Sequence, residues 1–118
     1  MSNYRLLCRS FHHAFDGLKY IFKHEQNFRI QVIVGIIIFI LAFYFPLSIN
    51  QKITIILMIG FVLVLELLNS ILERIIDLLR PKIDGNAETI KKAMSGLVLL
   101  AVLTSVFVGF LIFYPFIF

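Results

Sequence analysis

The sequence predicts an all-α integral membrane protein: an amphipathic N-terminal surface helix followed by three transmembrane helices. Three observations carry that expectation. Of the 118 residues, 60% are hydrophobic and 15% charged, whereas about a quarter of a soluble domain is charged. A soluble domain of this size buries only about two-thirds of its chain surface, too little to hide so much apolar side chain, and the mean hydropathy is +0.96. Finally, three apolar runs follow one another, each close to the ~20 residues that a spanning helix needs. No repeat or low-complexity linker interrupts the chain, so residues 1–118 are expected to form one membrane-embedded domain.

The surface helix is expected over about 4–27. Leu6, Leu7, Phe11, Phe15, Leu18, Ile21 and Phe22 recur at helical spacing, with Arg5, Arg9, Asp16, Lys19 and Lys23 between them. That alternation suits a helix lying in the membrane interface. It lacks the continuous apolar centre of a cleavable signal peptide, and none is expected. The first span, about 30–47, is interrupted only by Gln31 and ends at Pro46. The second covers 53–79 and the third about 90–116, uncharged from Ala93 onward. Short connectors, Ser48–Lys52 and Arg80–Glu88, make consecutive spans antiparallel neighbours. Gly35, Gly60, Gly96 and Gly109 are expected to let helices approach closely.

The formal charge of +4 is distributed as a membrane protein requires. Arg5, Arg9, Lys19, Lys23 and Arg29 precede the first span, and Arg80, Lys82, Lys91 and Lys92 flank the second connector. Only Lys52 lies in the first connector. The N-terminus and the second connector are therefore expected in the cytoplasm and the C-terminus outside. No basic stripe with interleaved aromatics points to nucleic acid. The single cysteine, Cys8, excludes an intrachain disulfide or a cysteine-based metal site.

The informative anomaly is the second span, which carries Glu66, Asn69, Ser70, Glu73 and Asp77 on one helical face. A carboxylate facing lipid is costly, so this face should turn to protein, a water-filled cleft or a cation. A plainer reading is a polar seam joining helices, with Arg74 neutralising Glu73. Counted from Lys52, Glu66 lies about 21 Å along the helix, submerged in a hydrocarbon core of about 30 Å. Glu73 and Asp77 approach the cytoplasmic headgroups. A lipid headgroup and a water-soluble cosubstrate could meet along such a stripe. Glu25, on the same membrane side, could join it. Two carboxylates are enough to hold Mg²⁺, which keeps waters and completes its shell with substrate phosphates. No Walker A loop, nucleophile elbow, dinucleotide fingerprint or paired-histidine zinc motif is present.

The run Glu66-Leu67-Leu68-Asn69-Ser70-Ile71-Leu72-Glu73-Arg74-Ile75-Ile76-Asp77 resembles the signature of the prokaryotic-type diacylglycerol kinases, small integral-membrane lipid kinases that include undecaprenol kinases. Glu25-Gln26-Asn27-Phe28-Arg29 is similar to the family's Glu-x-x-Phe-Arg element, with Gly17 before it and Lys91 after the signature at the family spacing. The resemblance covers essentially the whole chain. It implies a homotrimer in a bacterial inner membrane, with sites between subunits, that transfers the γ-phosphoryl group of ATP to a lipid hydroxyl with Mg²⁺. By position, Glu66 would be the general base, and Glu25 and Glu73 would hold the metal. His13, Glu25, Glu73, Asp77, Lys91 and Lys92 would face ATP, and Glu66, Asn69 and Ser95 the lipid. The leading acceptor is diacylglycerol, yielding phosphatidic acid, with undecaprenol as the alternative. The chain departs from the family at Leu6, where Arg is common, at Ile71, where a small residue is usual, and at Lys92, where the family has Asp. The last departure motivates a reading of another class, a catalytically inactive binding or structural relative.

Overall fold

The computed structural model describes residues 2–79 and 84–118; Arg80 and Lys82, counted above among the second connector's charges, lie outside the described residues. Four helices follow in order: α1 (Ser2–His24), α2 (Gln26–Tyr44), α3 (Ile49–Leu79) and α4 (Asp84–Ile117). The last three are long and apolar enough to cross a membrane. They form a flat bundle of 53 × 47 × 21 Å in which α3 lies between α2 and α4, and α1 packs on α2. Ile40, Leu57, Phe61, Leu100 and Phe107 stand exposed along the three long helices, an arrangement suited to lipid and not to water.

The helix boundaries have local causes. α2 stops before Pro46, which excludes helical backbone from the residue preceding it; Phe45 is extended, with φ −80° and ψ 150°. α3 then starts at Ile49, earlier than its first long apolar run, because Ser48 and Gln51 form a capping box. Gln51 N donates to Ser48 Oγ at 3.2 Å, and Ser48 N donates to Gln51 Oε1 at 2.9 Å. Two donors left open by the helix geometry are satisfied reciprocally. At 31 residues, α3 rises about 46 Å and outreaches a hydrocarbon core of about 30 Å. The helix is therefore longer than one crossing needs. The break between α1 and α2 falls at Glu25, two residues before the expected end of the surface helix, without a glycine or proline to announce it.

Packing is tightest at the end of the bundle near the first connector. Ala42, Leu47, Ile55 and Phe113 form its buried core, flanked by Ile38, Leu41, Phe45 and Ile59. Two threonine hydroxyls inside the spans bond within their own helices, Thr54 Oγ1 to the Asn50 carbonyl at 2.9 Å and Thr104 Oγ1 to the Leu100 carbonyl at 2.8 Å, while Ser105 Oγ of α4 donates to Met58 Sδ of α3 at 3.6 Å.

Of the four glycines expected at close crossings, only Gly35 stands at one. A Cβ there would lie 2.9 Å from Ile59 Cγ2, whereas Gly60, Gly96 and Gly109 face open space. Ile59 is β-branched and cannot swing its methyl aside cheaply in a helix. Gly35→Ala is therefore expected to destabilise the bundle by about 1–2 kcal/mol, overpacking outweighing the gain in helix propensity. Gly60→Ala should be neutral or stabilising. Thermal unfolding of both variants in one detergent checks this, and adding Ile59→Ala should recover part of the Gly35→Ala loss.

Candidate active site

Along α3 the polar face passes from buried to exposed. Glu66, Asn69 and Ser70 retain only 4%, 8% and 2% of their accessible surface, Glu73 is half-buried, and Asp77 is exposed. The stripe is thus covered by protein where it is deepest and opens toward one end of the bundle. Apolar positions on the same helix, such as Leu57 and Val64, are exposed instead.

Glu25 reaches this stripe from the opposite side. It occupies the break between α1 and α2, where its backbone N donates to the Ile21 carbonyl at 2.8 Å and its own carbonyl accepts from Arg29 N at 3.2 Å. Two neighbours secure the joint. Phe28 is buried, and Arg29 Nη1 donates to the carbonyls of Phe22 at 3.1 Å and Lys23 at 2.7 Å, closing the free carbonyl end of α1. The Glu-x-x-Phe-Arg element thus has a structural account: Phe28 anchors the turn, Arg29 caps the preceding helix, and Glu25 is left beside α3.

Arg74 pairs with Glu25 and not with Glu73. Its Nη2 donates to Glu25 Oε1 at 2.7 Å. Adjacent helical residues point about 100° apart, so Arg74 turns to the α1–α2 joint while Glu73 stays on the polar face. The charges of Glu73 and Glu25 both act on the carboxylate of Glu66. Among the described residues, Glu66 and Glu73 have no hydrogen-bonding or ionic partner, and the buried Asn69 Oδ1 also lacks one. Three of the expected site residues, Glu25, Glu66 and Glu73, are therefore close enough to interact electrostatically.

At the open end, Lys91 Nζ donates to Asp77 Oδ1 at 2.6 Å, joining α4 to α3. Lys92 and Ser95 are exposed on α4, and His13 is exposed on α1. No hydrogen bond or ion pair links those three to the carboxylates among the described residues. Residue pattern alone did not give Arg74 its partner Glu25 or Arg29 its capping role. For Arg74 a signal existed: a cation far from the first connector in a largely apolar helix needs an acid, and Glu25 was available on the same membrane side.

The donor chemistry fits a hard divalent cation. Oxygen donors dominate, two carboxylates lack protein partners, and Asn69 Oδ1 is an orphaned buried acceptor. No three His, Cys, Asp or Glu side chains converge into a protein-only cage among the described residues. That suits Mg²⁺, which binds through one or two carboxylates plus substrate phosphates.

The family model for prokaryotic diacylglycerol kinase matches residues 12–113. An undecaprenol kinase of Bacillus subtilis is 35% identical over 107 residues, covering 91% of this chain and 87% of that protein. A diacylglycerol kinase of Synechocystis is 34% identical over 101 residues, 85% of this chain but only 58% of the longer relative.

The cap on α1 yields a direct test. Arg29→Ala removes two bonds to otherwise open carbonyls, a loss of about 1–2 kcal/mol, which corresponds to roughly 5- to 30-fold faster local opening. Hydrogen exchange measured by mass spectrometry should show this acceleration around Phe22–Arg29, while the centre of α3 keeps its protection.

Proposed function

The chain belongs to the prokaryotic diacylglycerol kinase family, and from that premise we propose that it transfers the γ-phosphoryl group of ATP to the hydroxyl of a membrane lipid. The observation that carries this reading is the continuous path along α3, from the buried Glu66 to the exposed Asp77. A lipid hydroxyl enters at the buried end and a triphosphate at the wet end.

Each residue then has a defined task. Glu66 accepts the proton of the lipid hydroxyl as its oxygen attacks the γ-phosphorus and the bond to the β–γ bridging oxygen breaks, releasing ADP, because a positioned base must sit where the acceptor sits. Asn69, one turn away, orients that hydroxyl, and the exposed Ser95 faces the lipid headgroup. Glu73 and the remaining oxygen of Glu25 would hold Mg²⁺, which would supply neutralisation of the charge on the phosphates. Lys91 leaves Asp77 to meet the triphosphate; Asp77 then steadies the nucleotide, with Lys92 and His13 approaching from α4 and α1. Leu6, Leu7, Phe11 and Phe15 stand exposed on α1, which supports α1 as an amphipathic helix in the cytoplasmic membrane interface. The basic N-terminus lies on the cytoplasmic side of a bacterial inner membrane. A homotrimer brings α1 of one subunit to the stripe of the next.

Diacylglycerol and undecaprenol both present a hydroxyl at headgroup depth. Undecaprenol gains weight from the Bacillus relative, which is matched over 87% of its length, against 58% for the Synechocystis diacylglycerol kinase. Purified protein in lipid micelles, given labelled ATP and each acceptor separately, is expected to phosphorylate at least one. Glu66→Gln should lower that turnover by about 100-fold or more with assembly unchanged; a variant keeping most of its turnover rules out the base.

Lys92 separates a working enzyme from an inactive relative. An exposed charge–phosphate contact contributes about 0.2–1 kcal/mol, so Lys92→Ala should raise the KM for ATP by about 1.4- to 5-fold. If instead Lys92→Asp creates activity that the unaltered chain lacks, the inactive reading holds.

A further inference from the structure

Nothing local holds the Glu25 carboxylate still. The residue stands at a chain break with an extended backbone, φ −113° and ψ 110°, and its side chain makes no capping bond to α2. Its anchor comes from α3, where Arg74 Nη2 lies 2.7 Å from Oε1. The guanidinium is itself held in place. Its Cζ sits 5.1 Å from the centroid of the Tyr20 ring, and its Nη1 lies 3.4 Å from Tyr20 Oη. Tyr20 in turn stacks on His24 with 4.1 Å between ring centroids. A cation over an aromatic face is attracted by the ring quadrupole, and the planar guanidinium is fixed in orientation as a lysine ammonium would not be.

The geometry points to Arg74 as a positioning residue for phosphoryl transfer: it grips one oxygen of Glu25 so that the other remains available to the divalent cation. The inference rests on the reading of Glu25 as a metal-holding carboxylate. Two observations separate it from an ordinary ion pair. Both side chains are partly exposed, at 40% and 26%, a setting in which a pair adds little to stability. Arg74 also keeps its Nε out of water without a partner, a cost that a purely structural contact does not require.

The test uses the full chain in lipid micelles and the variants Arg74→Met, Arg74→Lys, Glu25→Gln and Arg74→Met/Glu25→Gln. Two quantities are read: the Mg²⁺ midpoint of turnover, and Mn²⁺ binding followed by loss of the free-ion electron paramagnetic resonance signal with a non-hydrolysable ATP analogue. Loss of a group that orients a metal ligand weakens metal affinity by about 10- to 100-fold, so Arg74→Met should shift both quantities by about tenfold. Arg74→Lys should fall between it and the unaltered protein. The double variant should be no worse than Glu25→Gln, because Arg74 acts through Glu25. If Arg74→Met fails to assemble, a Mn²⁺ affinity of Arg74→Lys equal to that of the unaltered protein overturns the proposal, and a several-fold loss supports it. Shifted metal binding in Glu25→Gln beside unshifted binding in the Arg74 variants overturns the positioning role alone. Unchanged metal binding in Glu25→Gln overturns the metal reading of Glu25 and this inference with it.

Discussion

A carboxylate carried into hydrocarbon must be covered by something other than lipid, and the arrangement of this chain follows from where α3 places Glu66. The helix turns that residue, with Asn69 and Ser70, into protein, while Leu57 and Val64 on the same helix face outward. Once that rotation is set, the neighbours of α3 are constrained as well. The joint between α1 and α2 must come alongside its acidic end, and the start of α4 must bring Lys91 to Asp77. The tight apolar core around Ala42, Ile55 and Phe113 lies at the other end. It sets the bundle's packing without asking the polar end to be compact. A close-packed core and a partly open polar cleft thus occupy opposite ends of the same three helices.

The spans were legible because their cause is local. Apolar length and the lack of charge are properties of a segment, and three such segments became three long helices. The acidic face was legible for a similar reason: one helix carries all of it, so 3.6-residue periodicity suffices to align Glu66, Asn69, Ser70, Glu73 and Asp77. What could not be read depended on other segments. Arg74 sits next to Glu73 in sequence, which suggests a pair, yet the helical turn sends it to Glu25, 49 residues away. The break at Glu25 carries no glycine or proline; it is held by Arg29 and Phe28, whose work is visible only once both helices exist. The start of α3 lay between the two cases. Ser48 and Gln51 spell a capping box, a local signal masked by the polar character of the connector. Glycine spacing was least informative, since three of the four positions face open space.

The charge arrangement separates two kinds of acid. Glu25 and Asp77 each have a basic partner, Arg74 and Lys91 respectively, and both pairs join different helices. Glu66 and Glu73, which share α3, have none among the described residues. Paired acids can serve architecture as well as chemistry, because their cations tie elements together. Unpaired acids near a membrane are retained at a cost and gain nothing from the fold of one chain. The division leaves Glu66, the most buried of these acids, uncompensated, while Arg74 and Lys91 compensate the acids Glu25 and Asp77.

This division also fits the proposed phosphoryl transfer. The reaction needs alignment, neutralised charge and a proton acceptor, and no covalent protein intermediate. A divalent cation bound through two carboxylates takes its remaining ligands from water and the triphosphate, so the protein need not build a complete cage. Nor need it build a deep lipid pocket, since the bilayer already concentrates and orients the acceptor. What the proposed reaction then asks of the fold is to hold a few side chains along α3 and bring Glu25 across to them. The polar face of α3 supplies the row of side chains, and the arginine-secured joint between α1 and α2 supplies the crossing.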